Sequence, residues 1–122
     1  LFVLHHFTHP NWFESAGGFA KRKNIPVFMN YVEQCIDCFA AYTSNWNTFN
    51  EPNVFIMNAY ILGEFPPFKK NYFLANKVLS KNVANCLRQH SILLENSQKV
   101  PRHSERYYKA TLIIVVFQPS MT

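Results

Sequence analysis

Hydrophobic positions in the first fifty residues change from a continuous run to a helical period and then back to a run. Residues 1–7 are mostly apolar, as in a strand covered on both faces. Residues 45–50 combine aromatic and β-branched side chains, which favours a second strand. Between them, residues 24–42 carry apolar side chains at steps of three and four, which predicts an amphipathic helix with Asn24 near its cap. Its predicted buried face is Phe28, Tyr31, Val32, Cys35, Phe39 and Tyr42.

Strand, helix and strand at these lengths predict a βαβ unit with two parallel, adjacent strands and a right-handed crossover. The rest of the chain predicts a short helix over residues 54–62 ended by Gly63, a rigid loop over 64–70 and a longer helix over 72–94. Residues 97–122 form an uncertain tail with a possible strand at 111–117. The apolar positions of the long helix are Leu74, Val78, Leu79, Val83, Cys86, Leu87 and Leu94.

The second predicted strand ends in Asn50, Glu51 and Pro52. Proline cannot donate to a strand ladder, and it pushes the preceding Glu51 away from the helical region, so we expect an extended Glu51 at the strand exit. Parallel strands finish on the same edge of a sheet, and His6 should therefore lie near Asn50 and Glu51. An aromatic-rich strand end could bury Glu51 and suit it to general acid chemistry. The alternative is a polar strand exit followed by a turn.

Composition and charge exclude some classes of protein but do not identify the function. The 122 residues fit one domain at most, and 48% hydrophobic with 16% aromatic content is typical of a folded protein. The formal charge of +5 comes from residues 66–122, with nine basic and two acidic residues, away from the candidate site. No basic-aromatic motif of a nucleic-acid module is present, so we expect no nucleic-acid partner. The longest apolar run is too short to span a bilayer, so we expect no membrane association either.

Histidine and cysteine residues raise the question of a metal. His5 and His6 are adjacent on a predicted strand and so face opposite sides, which argues against a shared ion. Cys35 and Cys38 lie within a helix and lack a second pair to complete four ligands. We therefore expect neither metal nor cofactor. The odd count of three cysteines, with no signal peptide ahead, fits a reducing, cytoplasmic setting, and the absence of an initiating Met suggests a piece of a longer protein.

Several motifs together resemble glycoside hydrolase family 1, which includes β-glucosidases and β-galactosidases. Residues 48–52, Thr-Phe-Asn-Glu-Pro, are similar to the family's acid/base motif, and residues 4–10, Leu-His-His-Phe-Thr-His-Pro, to its strand-three signature. Gly17-Gly18-Phe19 follows where a Gly-Gly-aromatic is expected, and Tyr60, Gly63 and Pro66-Pro67 fall at the family's spacing. The resemblance implies an α/β fold. Residues 1–96 would be a partial (β/α)8 TIM barrel, holding the third and fourth β/α units and possibly reaching the fifth strand.

The resemblance also implies roles for three residues and a carbohydrate substrate, a β-glycoside. Glu51 corresponds to the general acid/base, Asn50 to the residue that binds the sugar 2-hydroxyl, and His6 to a contact with a glycone hydroxyl. Hydrolysis with retention needs a second, nucleophilic carboxylate, and the family's nucleophile lies on a later strand outside this chain. The isolated chain is therefore expected to be inactive. The alternatives are a non-catalytic piece that binds sugar or a partner, and a degenerate coding remnant.

Overall fold

Three parallel strands form the sheet in the computed structural model of the chain, which describes residues 1–99 and 111–112. Strand β1 (Phe2–His5) pairs with β2 (Asn45–Phe49), and Phe2, Val3 and His5 lie opposite Trp46, Asn47 and Phe49. Strand β3 (Thr111–Leu112) pairs with the other edge of β2. The remainder of the possible strand at 111–117 lies outside the described residues, as do residues 100–110 and 118–122 of the tail.

Helices cover most of the remaining described chain. The long C-terminal helix is continuous, because a π-helical segment joins its two α-helical parts, and a second π-helical segment extends the helix after β2. The α-helices are α1 (Asn11–Ser15), α2 (Ile25–Phe39), α3 (Pro52–Ile56), α4 (Tyr72–Lys77) and α5 (Ala84–Lys99). The π-helical segments are Met57–Leu62 and Val78–Val83, and two 3-10 turns span Gly18–Ala20 and Arg22–Asn24.

The parallel βαβ unit predicted from the hydrophobic pattern is confirmed by the pairing of β1 with β2 on either side of α2. The helix after β2 ends at Gly63, as predicted, and Gly63 has a φ of 72°, a conformation that glycine adopts without steric cost. The long helix over residues 72–94 is also confirmed and continues to Lys99. These elements place the ends of β1 and β2 beside one another.

The buried face of α2 differs from the predicted one. Tyr31 and Phe39 are 45% and 42% exposed, while Met29 and Ile36 are buried instead. At 100° per residue, Met29 and Ile36 lie on the same side of α2 as Phe28 and Cys35, and Tyr31 lies at the edge of that side. Tyr42 falls beyond the end of the helix and is 84% exposed. The prediction is therefore confirmed for Phe28, Val32 and Cys35 and wrong for Tyr31, Phe39 and Tyr42.

Asn24 precedes α2 but does not cap it through its side chain. Its amide nitrogen instead donates to the carbonyls of Ala16 and Gly18, at 3.1 and 3.0 Å. The buried side chain thus stabilises the turns before the helix, and the expected cap is corrected. Pro26 lies in the first turn of α2, where the missing N–H has no helical partner to lose.

The long helix contributes the apolar core positions that its period predicts. Val78, Val83, Cys86 and Leu94 are buried, and Leu74, Leu79 and Leu87 are partly buried against the core. Asn82 is buried too and donates to the carbonyl of Phe19 at 2.7 Å, which ties this helix to the turn after α1. In the part of the chain that the structure describes, no helix is long and apolar enough to cross a membrane.

We expect Val32→Ala in α2 to lower the free energy of unfolding by about 2 kcal/mol, because Val32 is fully buried and its loss leaves a cavity. Val27→Ala is the matched control in the same helix, since Val27 is 42% exposed, and we expect a change within about 0.5 kcal/mol. Chemical denaturation of the two variants measures the difference. Equal losses would contradict the assignment of the buried face.

Candidate active site

The carboxyl ends of β1 and β2 are joined by a backbone hydrogen bond just beyond the strands. The Asn50 N–H donates to the His5 carbonyl at 2.8 Å. His6 directly follows this carbonyl, and Glu51 directly follows Asn50, so the geometry brings the three predicted site residues to one edge of the sheet. His6 and Glu51 are exposed there, and Asn50 is half-buried.

Glu51 adopts a left-handed backbone conformation, with φ 41° and ψ 63°, and not the extended one that Pro52 led us to expect. The chain must turn at this residue, because β2 ends at Phe49 and α3 starts at Pro52. Proline at the first helical position disfavours right-handed helical geometry in the residue before it. The left-handed region allows the turn, at a cost of about 1–3 kcal/mol for a non-glycine residue.

The side chain of Glu51 is exposed. Phe49 is buried beside it in sequence, yet the aromatic strand end does not cover the carboxylate. The expected burial of Glu51 is therefore not provided by the described residues. General acid chemistry at this position requires further groups to surround the carboxylate.

Left-handed non-glycine residues follow both neighbouring strands. Besides Glu51, Phe7 after β1 has φ 68°, and Phe68 in the loop before α4 has φ 56°. The Phe7 ring contacts the ring of His6, with centroids 5.2 Å apart, and that of Phe65, 5.8 Å apart. Strained backbone of this kind concentrates at functional sites, and Phe7 and Glu51 lie at the sheet edge that carries the candidate residues.

A hydrogen bond that the sequence reasoning missed ties β2 to α5. Thr48 Oγ1 and His90 Nδ1 are 2.5 Å apart, and both residues are fully buried. Burial lowers the pKa of His90 to about 4, so its ring is neutral near pH 7. His90 follows the buried residues Val83 and Cys86 by seven and four positions, so the helical period could have placed it on the core face.

His5 is part of a second buried group that sequence reasoning considered only as a metal site. His5 Nε2 lies 3.1 Å from His9 Nδ1, and His9 Nε2 lies 2.5 Å from Glu14 Oε2. Burial, followed by the nearby His9 and His6, lowers the pKa of His5 to about 3. Among residues 1–99 and 111–112, no cluster of histidine, cysteine and acidic side chains could hold a metal ion.

The three cysteines are free thiols that differ in burial. Cys35 and Cys86 are buried and Cys38 is exposed. Burial raises the pKa of Cys86 to about 12 and also raises that of Cys35. Buried thiols of this kind are packing residues with little reactivity. The prediction that Cys35 and Cys38 are both packing residues is thus confirmed for Cys35 and wrong for the exposed Cys38.

Comparison with known proteins gives a consistent result. The model of "Glycosyl hydrolase family 1" matches residues 1–122. The chain is 34% identical over 114 residues to "Coniferin beta-glucosidase" of Pinus contorta, covering 88% of this chain and 22% of that protein. It is 30% identical over 111 residues to "Putative beta-glucosidase 5" of Arabidopsis thaliana, covering 86% and 21%.

Among solved structures, the "beta-glycosidase from Pyrococcus horikoshii" superimposes with a TM-score of 0.65 and 37% sequence identity. The match covers 77% of this chain and 21% of that one. The chain thus spans about a fifth of the length of the proteins it matches.

We expect Thr48→Val to lower the free energy of unfolding by about 1–3 kcal/mol, because it leaves the buried Nδ1 of His90 without its partner. Thr43→Val is the control, since the Thr43 hydroxyl bonds to the backbone of Asn45 at an exposed position. Urea denaturation of both variants tests the expectation. A Thr48→Val protein as stable as the Thr43→Val protein would show that the buried bond adds nothing.

We expect the chain to lose stability as the pH falls below about 6.5, the ordinary histidine pKa in an unfolded chain. The pKa values of His5 and His90 are lowered to about 3 and about 4 in the folded state, so between those values and 6.5 only the unfolded chain takes up these protons. Linkage then gives a loss of about 4 kcal/mol between pH 7.5 and pH 5.

Denaturation over this pH range measures that loss. His90→Gln should reduce it by about half, because one of the two buried histidines is removed. His6→Gln should leave it unchanged, since His6 is exposed in the fold. An equal loss of stability at low pH in the unmodified chain, His90→Gln and His6→Gln would contradict the assignment of that loss to the buried histidines.

Proposed function

The chain belongs to glycosyl hydrolase family 1, and from that membership we propose that it is the acid/base part of a retaining β-glycosidase acting on β-glucosides or related sugars. The observation that supports this most strongly is the placement of Glu51. Its carboxylate lies at the carboxyl end of the central strand β2, in a strained backbone conformation, within the Thr-Phe-Asn-Glu-Pro motif. Catalytic groups of parallel α/β folds come from such strand ends.

We propose that residues 1–96 are a partial (β/α)8 barrel. The parallel pairing of β1 and β2 across α2, and the helix that returns after β2, correspond to two successive β/α units. The third and fourth units of the family barrel are the proposed counterparts, and β3 is the proposed start of the fifth strand. The length of the relatives, about five times the matched region, supports the existence of further units elsewhere.

In the proposed reaction, Glu51 protonates the glycosidic oxygen as the bond to the leaving group breaks. A second carboxylate, about 5–5.5 Å away in retaining enzymes, attacks the anomeric carbon to form a glycosyl-enzyme. Glu51 then acts as a general base and activates the water that releases the sugar with its configuration retained. Asn50 would bind the sugar 2-hydroxyl and His6 another hydroxyl of the same ring.

The exposure of Glu51 supports the view that this chain supplies half of the site. A general acid needs surroundings that disfavour its ionised form, and a retaining mechanism needs the second carboxylate. Glu14 is bound to His9, and Glu64 belongs to the loop with the two prolines. We propose that the nucleophile lies outside this chain, that the chain alone is inactive, and that its location is cytoplasmic.

We expect the 122-residue chain alone to show no hydrolysis of an aryl β-glucoside above the rate without protein. Catalysis of the first step requires a nucleophilic carboxylate opposite Glu51. Release of the aryl group, followed by absorbance, measures this. Turnover that disappears in Glu51→Gln would show that the chain is sufficient for catalysis and that the missing-nucleophile hypothesis is wrong.

The role of Glu51 is tested in a chimera, in which the aligned segment of the Pyrococcus horikoshii β-glycosidase is replaced by residues 1–96. We expect Glu51→Gln in this chimera to lower kcat/KM, which reports the first step, about 10²–10⁴-fold for an alkyl glucoside, because the leaving oxygen is no longer protonated. The loss of kcat/KM should be much smaller for a dinitrophenyl glucoside, whose leaving group needs little protonation. Glu64→Gln is the control and should retain activity. Equal losses for both substrates would contradict an acid/base role.

A further inference from the structure

The hydrogen-bonded chain of Glu14, His9 and His5 has no role in the proposed hydrolysis. It runs from the partly exposed Glu14 through His9 to the buried ring of His5, which is 2% exposed. The His5 ring is enclosed by Phe19, Phe49 and Phe55, with centroids 5.2, 5.1 and 4.8 Å away. The carbonyl of the same His5 accepts the N–H of Asn50. His5 therefore connects the hydrogen-bonded series Glu14–His9–His5 to the strand end that carries the candidate site.

We infer that Glu14 and His9 are positioning residues, which fix the tautomer of His5 and through it the strand end that holds Asn50. This inference rests on the proposed function only in giving Asn50 and Glu51 their importance. The contacts themselves are independent of catalysis.

The tautomers of His9 and His5 follow from the Glu14 carboxylate, which is the acceptor at one end of this hydrogen-bonded series. An ionised carboxylate can only accept a hydrogen bond, so His9 Nε2–H donates to Glu14 Oε2. In a neutral imidazole the other nitrogen then has a free lone pair, and His9 Nδ1 accepts from His5 Nε2–H. His5 Nδ1 is left unprotonated, and it has no hydrogen-bond partner among the described residues.

The reverse arrangement is less favourable. An imidazolium at His9 would donate from both nitrogens, and His5 would then have to carry its proton on Nδ1. That N–H would be buried among aromatic rings without an acceptor. Buried N–H donors without partners are rarer than unpaired buried acceptors. An N–H can make a single hydrogen bond, and without an acceptor that bond is not formed.

The glycine at position 18 maintains the space for this arrangement. A Cβ on Gly18 would lie 2.7 Å from Glu14 Oε2, closer than atoms can approach, so the carboxylate would have to move. Gly17 offers a comparison, since a Cβ there would meet the Lys21 side chain, at 2.4 Å from its Cγ. Both glycines have positive φ values, 49° and 104°, so alanine is strained at either position.

The experiment reads the histidine tautomers of the ¹⁵N-labelled 122-residue chain from long-range ¹H–¹⁵N spectra near pH 7.5, together with the exchange rate of the Asn50 amide. We expect the Nε2–H form for both His5 and His9. In Glu14→Leu we expect mixed tautomers at both rings and about tenfold faster exchange at Asn50, from the loss of a charge-assisted hydrogen bond. Glu14→Gln keeps an acceptor oxygen and should behave as the unmodified chain does.

Two controls separate this effect from general destabilisation. Glu33→Leu removes an exposed carboxylate of α2 and should change neither reading. Gly18→Ala should reproduce the tautomer change of Glu14→Leu, whereas Gly17→Ala, which also places alanine at a positive φ but away from Glu14, should not.

Several results would overturn the inference. His5 found as the Nδ1–H form in the unmodified chain would reverse the assigned direction of donation. Unchanged tautomers in Glu14→Leu, or changes equal to those of Glu33→Leu, would remove the role of Glu14. Altered tautomers with unchanged exchange of the Asn50 amide would show that the hydrogen-bonded series Glu14–His9–His5 does not position the strand end. None of these readings depends on hydrolysis, so an error in the proposed function would leave them unaffected.

Discussion

Parallel pairing between β1 and β2 is the constraint on which the candidate site depends. The register places His5 opposite Phe49, and one further bond, from the Asn50 N–H to the His5 carbonyl, extends the ladder beyond the strands. Both faces of β2 are buried, and a shift of the register by one residue would exchange the side chains on the two faces. The contacts of Phe49 with Phe28 and His5, and of Thr48 with His90, would then be lost together. Packing on both faces thus fixes the position of Glu51 before any substrate is considered.

The elements could be predicted from the sequence because their periods are strong. Two short apolar runs around a helical period give a parallel βαβ unit, and chain geometry alone then brings His6 to the edge that carries Asn50. The buried face of α2 was harder to predict. Tyr31 lies at the edge of that face, and Phe39 lies in line with it but at the last position of the helix, where it stays 42% exposed and stacks on Phe2. The conformation of Glu51 could not be read from Pro52, which excludes one backbone region without choosing between the others.

Buried histidines were missed because hydrophobic patterns treat them as polar. His5 and His90 are nearly or fully buried, and each has one ring nitrogen without a partner in the described part of the chain. Both are held neutral by their surroundings, so they act as small aromatic residues with one directional hydrogen bond. His90 fixes the middle of β2 to α5, and His5 connects the end of β1 to the turn that contains His9. The Thr48–His90 contact joins residues 42 positions apart, so no local sequence pattern shows it.

The proposed retaining mechanism places two demands on Glu51, a fixed position and surroundings that favour its protonated form, and the described residues provide the first of them. Holding a carboxylate at a defined point requires a rigid strand end, and the parallel ladder, the left-handed turn at Glu51 and the helix starting at Pro52 provide it. Tuning that carboxylate for proton transfer requires burial and a charged partner, and neither surrounds Glu51 among the described residues. Position is thus a local property of the segment, whereas the reactivity of Glu51 in the proposed mechanism depends on groups beyond those described.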